Sequence, residues 1–268
     1  MASGRQPLTG ARAVLDRVAR VGPYFAVRTG SVPDETGFRP LADLYDREAP
    51  HALADRVEDV RAKLGTDEVR VAASILFLGV ASRLWSVALG AAVLGRGVPE
   101  LDPASTSWRF PASGPVELWA PDPGWVRFTD DASAVGALHD AVMDRHVVPL
   151  AAATRAVVPV AERLLWGNAA SALVGATRVL SAHVAARPEL AASAEAFADG
   201  LLATGRLRGT GPRGTVGTFR RTTCCLYYRI PGGGICGDCV FGASGRSAPP
   251  RPAPHRRVVR TRRIGASG

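Results

Sequence analysis

The sequence predicts a mainly α (α+β) fold: a helical domain, a small antiparallel β element and a cysteine-rich loop near the C-terminus. Three observations support this prediction. Over 9–204, apolar residues recur mostly at helical spacing, in segments separated by prolines and glycines. The stretch 107–130 instead carries aromatic and branched residues around turn-forming ones. All four cysteines of the chain lie within 224–239.

The N-terminal region, 1–65, is expected to be helical with one loop. Apolar residues at helical spacing predict a helix over 9–21, and a loop follows over 30–40. Residues 41–64 are predicted to form one or two helices, broken near Pro50 because proline lacks the backbone donor that a helix interior needs. This region carries no motif that indicates a function.

The long apolar stretch that follows predicts the central helix of a domain over 66–207. It covers 66–94 and ends at the glycines and proline of 95–99. Its most apolar part, 71–95, has the length of a membrane span, but Arg83 lies near its middle. A central arginine costs about 2.5–3.5 kcal/mol in a membrane, so we predict a helix buried in protein.

Residues 107–130 break the helical pattern and predict the β element. The segments 116–120 and 125–128 both have strand-forming residues. Between them lies Pro121-Asp-Pro-Gly124, whose residue types are typical of a turn. The sequence therefore predicts a hairpin near 116–128.

Helices are predicted again after this element, with prolines at their boundaries. Pro149, Pro159 and Pro188 each remove a backbone donor and disfavour helical backbone in the residue before them. The predicted helices are 132–148, 150–184 with an interruption at 158–159, and 188–204. A glycine-rich linker over 208–217 then leads into the cysteine-rich loop, and the two together cover 208–241.

The cysteines have the spacing C-C-x10-C-x2-C, as Cys224, Cys225, Cys236 and Cys239. Thiolates are soft ligands, and four of them within reach of one another select zinc or an iron–sulfur cluster. Adjacent cysteines do not form the usual zinc knuckle, in which two intervening residues turn both sulfurs toward one ion. A two-iron cluster spreads its ligands over both irons, so the spacing favours it. Zinc is one alternative, and disulfides or free thiols are another.

Glycines and arginines around the cysteines agree with a cluster site. Glycine adopts φ > 0 readily, which lets backbone N–H groups point at sulfur; the glycines here are Gly232, Gly233, Gly234 and Gly237. Positive charge lowers the pKa of thiols and raises the potential of a cluster; the arginines here are Arg220, Arg221 and Arg229. Both groups are expected to favour the reduced, more negative form of a cluster.

The cysteine-rich loop also resembles a known family. The sequence FRRTTCCLYYRIPGGGICGDC, 219–239, resembles the C-terminal signature of the FhuF-type ferric-siderophore reductases. Trp166-Gly167-Asn168 resembles a second short motif of that family, and the similarity covers about 65–241. The resemblance implies a [2Fe–2S] cluster held by the four cysteines. It also implies one-electron reduction of Fe(III) that is held by a siderophore.

We expect a ferric siderophore, preferably of the hydroxamate type, to bind near the cluster. The candidate substrate-binding residues are Arg83, Trp166, Asn168 and Arg229. Core packing and helix capping are the alternative roles of Arg83, Trp166 and Asn168. The match of 209–214 to G-x-G-x-x-G has no strand before it, and Pro212 blocks the helix of a dinucleotide site. Electrons are therefore expected from a separate protein or a diffusible reductant.

The net charge argues against one class of function. The chain carries +9, but 242–268 holds seven arginines and no acid, so the remaining residues carry +2. This distribution does not predict a nucleic-acid-binding face. The tail is rich in proline, glycine and serine and is predicted to be disordered. It is either simply solvated or attracts anionic lipid or an acidic redox partner.

Compartment and function follow from these features. Residues 1–19 lack the apolar region of a secretion signal, and reduced thiols suit a cytoplasmic protein, with peripheral membrane contact through the tail as an alternative. The predicted function is a ferric-siderophore reductase. The alternatives are a zinc-bound structural or interaction module with a basic tail, and a non-catalytic iron–sulfur electron carrier or sensor.

Overall fold

The computed structural model describes residues 8–31, 37–214 and 217–242, and α-helices dominate it. The helices are α1 (Leu8–Ala19), α2 (His51–Lys63), α3 (Val69–Gly95), α4 (Asp131–Leu138), α5 (Val148–Val157), α6 (Glu162–His183) and α7 (Pro188–Leu202). The strands are β1 (Arg39–Pro40), β2 (Gly97–Glu100), β3 (Ser107–Arg109), β4 (Glu117–Trp119) and β5 (Gly124–Arg127). The predicted mainly α fold with a small antiparallel element is confirmed. The predicted disordered tail lies outside the described residues from 243 onward.

Helix α3 is the centre of the fold and packs most extensively against α6, with α1 and α2 also against it. Its buried residues include Phe77, Leu84 and Trp85. The helix is long and apolar enough to cross a membrane. Of its most apolar 18-residue stretch, 78% is buried inside the protein. The predicted buried helix is thus confirmed. Burial of its apolar surface stabilises the fold by about 25 cal/mol per Å².

The predicted hairpin between 116–120 and 125–128 is wrong in its pairing. Strand β4 pairs antiparallel with β3, and β5 pairs antiparallel with β2, so consecutive strands lie in different sheets. The other edge of β4 is taken by Arg28, whose N–H donates to Leu118 and whose carbonyl accepts from Ala120. Strand β5 therefore finds no free edge on β4. It pairs instead with β2, a segment that the sequence marked only as the end of α3.

The predicted helix boundary at Pro149 is also wrong. Helix α4 continues through a π-helical segment, His139–Val147, directly into α5. Pro149 stands in the first turn of α5, after a segment whose wider turns bond residue i to i+5. Proline is tolerated in a first turn because its missing N–H needs no partner there. The chain leaves the helix at Val158, which has extended backbone, as predicted for 158–159.

After α7 the predicted linker folds back on itself and packs against the body. Backbone hydrogen bonds join 210–214 to 218–222 in antiparallel fashion. Arg213 pairs with Glu195 and Asp199 of α7. The cysteine segment, defined here as 217–242, follows this linker. The contacts of the linker therefore fix where the segment begins, beside α6.

Candidate metal centre

The cysteine segment lies against α6, and Gly167 lets it approach the helix closely. A Cβ at this position would overlap the hydroxyl of Thr223. That hydroxyl donates to the carbonyl of Arg163 at 3.3 Å. Glycine leaves room for this contact without moving the segment. The middle residue of the Trp166-Gly167-Asn168 motif therefore has a packing role.

Asp238 ties the second half of the segment to the same helix. Its carboxylate is buried, accepts a hydrogen bond from the Ser171 hydroxyl and pairs with Arg178 at 3.0 Å. Its backbone carbonyl accepts from the N–H of Arg221 at 3.1 Å. A buried carboxylate needs such partners to stay charged. These contacts hold the turn between the last two cysteines in place.

Asn168 is fully buried and connects three parts of the fold. Its amide nitrogen donates to the carbonyl and the hydroxyl of Ser74 on α3, both at 2.9 Å. Its amide oxygen accepts from the guanidinium of Arg221. Ser74 in turn donates to the carbonyl of Cys225 at 2.7 Å. The network therefore positions both Cys225 and Arg221 relative to α3 and α6.

All four cysteines are free thiols, and the structure brings them together at the edge of the body. The Sγ atoms of Cys225 and Cys236 lie 3.4 Å apart. Cys224 bonds to Cys225 and interacts electrostatically with Cys239. Cys225 and Cys239 are buried, whereas Cys224 and Cys236 are half-buried. One side of the group is thus covered by protein, and the other is accessible.

Backbone N–H groups reach three of the sulfurs, and the donor at Cys225 is Tyr227. Leu226 donates to Cys224 Sγ at 3.3 Å, and Phe241 donates to Cys239 Sγ at 3.4 Å. These donors belong to Leu226, Tyr227 and Phe241, and the expectation that the glycines of the loop let N–H groups point at sulfur stays a prediction. Among the glycines singled out in this loop, only Gly232 has a left-handed φ. Leu226 itself adopts φ 67°, a backbone conformation that a leucine rarely takes.

Hydrogen bonds and charge single out Cys225 as the thiolate of the group. Hydrogen bonds with the thiols of Cys224 and Cys236 lower the pKa of Cys225 far below its usual range, and the charge of Arg221 adds to this effect. The same bonds raise the pKa of Cys224 and of Cys236. The fold therefore stabilises negative charge on sulfur where a metal centre requires thiolate ligands.

The side chain of Arg221 carries a buried donor without a partner. It is 3% exposed, and among the described residues its Nε atom has no acceptor. An unpaired buried donor costs about 1–3 kcal/mol. A cluster sulfur beside Cys225 and Cys236 would supply the missing acceptor. Four grouped thiols together with this donor fit a [2Fe–2S] cluster.

The comparison with known families agrees with this geometry. Residues 221–241 match the family model described as the FhuF 2Fe-2S C-terminal domain. This segment is similar to the FhuF-type [2Fe–2S] domain. The match includes all four cysteines, and it confirms both the family resemblance and the predicted cofactor over zinc or disulfides. No curated protein matches the chain.

Two of the predicted substrate-binding residues, Asn168 beside the FhuF-type domain and Arg229 within it, make contacts that use their polar groups. Asn168 is fully buried in the network with Ser74 and Arg221. Arg229 pairs with Glu68 at 2.7 Å, and this hydrogen bond raises the pKa of Arg229. The charge of Arg229 is thus compensated by an acid at the start of α3.

The other two predicted residues are also engaged within the fold. The ring of Trp166 is largely buried, with the guanidinium of Arg206 5.0 Å from its centroid. Arg83 donates to three backbone carbonyls, those of Pro23, Ala26 and Val116. Burial lowers the pKa of Arg83 to about 10, so it stays charged at neutral pH. The assignment of all four residues to a substrate pocket stays a prediction.

Sequence reasoning missed Ser74 and Asp238, and it did not separate Arg221 from its neighbouring arginines. Ser74 lies 150 residues and more from the cysteines in sequence, and nothing in its surroundings marks it. Asp238 offered a signal, because a lone acid between two cysteine ligands needs a partner elsewhere in the fold. Arg221 was visible as a nearby charge, but its burial was not.

Proposed function

We propose that the chain is a ferric-siderophore reductase whose [2Fe–2S] cluster is held by Cys224, Cys225, Cys236 and Cys239. The observation that carries this proposal is the position of the FhuF-type domain at the edge of the helical body. Two of its cysteines are half-buried, and Cys236 lines a groove of about 510 Å³. A bulky chelate can approach the cluster there without entering the core.

The chemistry of the substrate explains why one electron is sufficient. Hydroxamate and catecholate oxygens are hard, anionic ligands that bind Fe(III) far more strongly than Fe(II). A bound [2Fe–2S] cluster supplies one electron at a time. Fe(III) gains that electron, its complex weakens, and the resulting Fe(II) passes to an acceptor. We favour a hydroxamate-type substrate, because three hydroxamates neutralise Fe(III) and the groove is mostly apolar.

Residues around the cysteines stabilise the negative charge that a cluster gains when it is reduced. Arg221, held by Asn168, offsets the negative charge of the thiolates. The N–H donors of Leu226 and Phe241 favour a more negative, reduced centre. The contacts to α6 fix the loop, so little protein movement accompanies the change of charge.

The electrons are proposed to come from a separate donor, either a protein or a diffusible reductant. The G-x-G-x-x-G match at 209–214 follows a 3₁₀ turn, Gly205–Leu207, and not the strand that a dinucleotide site requires. A cytoplasmic location suits the proposal because thiols stay reduced there while a cluster is assembled.

The experiment is anaerobic purification with iron and sulfide analysis, followed by reduction and mixing with a ferric hydroxamate. We expect two irons and two sulfides per chain and an EPR signal on reduction that disappears when the ferric chelate is added. Fe(II) should appear at one equivalent per chain. The Cys236→Ser variant should lose most of the cluster, and the redox-inert Ga(III) chelate should leave the EPR signal unchanged.

The opposite result would identify the other iron–sulfur function. If the reduced protein keeps its EPR signal in the presence of ferric chelates, the reductase proposal fails. A non-catalytic carrier or sensor would then remain.

A further inference from the structure

The groove beside Cys236 is formed by separate parts of the helical body. The turn Pro23–Phe25 contributes Tyr24, helix α3 contributes Leu78, and α6 contributes Val179. Cys236 belongs to the same lining, so the groove leads directly to the FhuF-type domain. Its volume, about 510 Å³, falls within the range of about 300–1,000 Å³ that is usual for small-molecule sites.

The lining of the groove is mostly apolar and partly exposed, and its uncharged polar residues are Ser82, Ser86 and Ser171. Tyr24 is 41% exposed and Val179 is 49% exposed, which places both among the most exposed large hydrophobic residues that the structure describes. Small residues of α6, Ala172, Gly175 and Ala176, leave the space between the walls open. Exposed apolar side chains that gather in one concavity indicate a binding site.

The charged residues in the lining already have partners within the protein. Asp238 pairs with Arg178 at 3.0 Å and accepts from the Ser171 hydroxyl. Arg221 bonds to Asn168 and faces the thiols of the cysteine segment, and its remaining buried donor, Nε, is the one that a cluster sulfur would satisfy. Neither charge is free to bind an anion, and burying an unpaired charge against the apolar walls would be costly. An uncharged aliphatic group is therefore the ligand chemistry that suits the groove.

We infer that this groove binds the aliphatic part of the ferric chelate and thereby presents its iron at the Cys236 side of the cluster. The inference rests on the proposed function and adds the chemical character of the substrate and the side from which it approaches. One electron passes from the reduced cluster to Fe(III), which becomes Fe(II); the separate reductant restores the cluster. No bond between substrate and protein forms or breaks.

The first test measures binding without reduction. Ga(III) complexes of straight-chain alkyl hydroxamates, from acetyl to hexanoyl, are titrated into the oxidised holoprotein by isothermal calorimetry. Each methylene that enters the groove should tighten the dissociation constant roughly three- to fourfold, as expected for burial of one CH₂. A dissociation constant that does not depend on chain length would overturn the inference.

The second test changes the groove at exposed positions on separate elements. Val179→Asp and Tyr24→Ser should each weaken binding of the hexanoyl complex at least about tenfold and reduce the dependence of the dissociation constant on chain length. Val69→Asp is the matched control, because Val69 is 36% exposed on α3 and does not line the groove. Iron content and the EPR signal confirm an intact cluster in each variant.

The results separate this inference from the proposed function. If both groove variants bind the hexanoyl complex as the unmodified protein does, the groove is not the substrate site, even when ferric chelates re-oxidise the cluster. If binding follows chain length and the groove variants but no ferric chelate is reduced, the groove site stands and the reductase proposal fails.

Discussion

Arg221 and Arg229 lie on either side of Cys224 and Cys225 in the sequence, but their charges lie in different surroundings. Arg221 is 3% exposed, bonds to Asn168 and lowers the pKa of Cys225. Arg229 pairs with Glu68 at 2.7 Å. In a buried environment a charge acts strongly on its neighbours, whereas a paired charge is largely cancelled. Of these two arginines, Arg221 is therefore the one whose charge is expected to act on a cluster held by the four cysteines.

Arg221→Gln should lower the midpoint potential of the cluster by roughly 60 mV or more. A hydrogen bond from a charged donor contributes about 1.5 kcal/mol, and about 1.4 kcal/mol corresponds to 59 mV for one electron. A redox titration followed by EPR measures the shift. Arg221→Lys, which keeps the charge, should recover part of it.

The double variant Arg229→Gln with Glu68→Gln is the control for this prediction, because it removes both charges of that ion pair and leaves the net charge unchanged. Its effect on the potential should be clearly smaller. Equal shifts in Arg221→Gln and in this double variant would mean that burial of Arg221 has no special influence on the cluster.

Helix α6 acts as the platform for the cysteine segment. Gly167, Ser171 and Arg178 follow one another at spacings of four and seven, so they share one face of the helix. Gly167 gives room to the Thr223 hydroxyl, and the other two residues hold Asp238. Asn168 adds the contact to Arg221 from an adjacent position. A single helix face thus sets the position of both cysteine pairs.

Gly167→Ala should displace the cysteine segment and lower the cluster content of the purified protein. The new methyl group would overlap the Thr223 hydroxyl, and such overpacking costs about 1–3 kcal/mol. Iron and sulfide analysis with thermal unfolding measures the effect. The double variant Gly167→Ala with Thr223→Ala removes the overlapping oxygen and should restore most of the cluster.

Gly79→Ala provides the control on α3, because a Cβ there meets nothing within 4 Å. It should leave cluster content unchanged and add up to about 1 kcal/mol of helix stability. If the double variant fails to recover the cluster, the close approach between Gly167 and Thr223 is not what positions the segment.

The helical body forms its core almost entirely without the cysteine segment. All α-helices and named strands of the described residues lie within 8–202, and the largest fully buried side chains belong to the same range. The cysteine segment itself contains only a short 3₁₀ turn, Tyr227–Arg229. It contributes Phe219 to the core, packs Leu226 against it and is also held by polar contacts to α6 and Asn168. The helical body therefore has a core of its own, whereas the cysteine segment depends on contacts with that body for its position.

Removal of the cluster should free the loop and leave the body folded. Iron chelation under reducing conditions should reduce the far-UV helical signal by no more than about a tenth, because the helices keep their packing. Hydrogen exchange should accelerate over 217–242 and stay slow in α3 and α6. Loss of the helical signal together with the cluster would show that the body depends on the metal centre for its fold.

Local patterns in the sequence determined several parts of this description. The apolar run of 66–94 was sufficient for the central helix, and Pro50 was sufficient to place the break before α2. The spacing of the cysteines favoured a two-iron cluster, in agreement with the FhuF-type domain at 221–241. These features were readable because ligand type, helical spacing and proline geometry act within a few residues of one another.

Tertiary structure decided the features that depend on distant contacts. The edge of β4 was occupied by Arg28, so the neighbouring strand paired elsewhere. Asn168 and Glu68, both far away in sequence, determined that Arg221 faces the thiols and that Arg229 is neutralised. A charge acts according to its burial and its partners, and these exist only once the chain has folded. The residue types in the sequence therefore specified a cysteine-bound metal centre with arginines near it. Tertiary packing decided which arginine faces the thiols and which is neutralised.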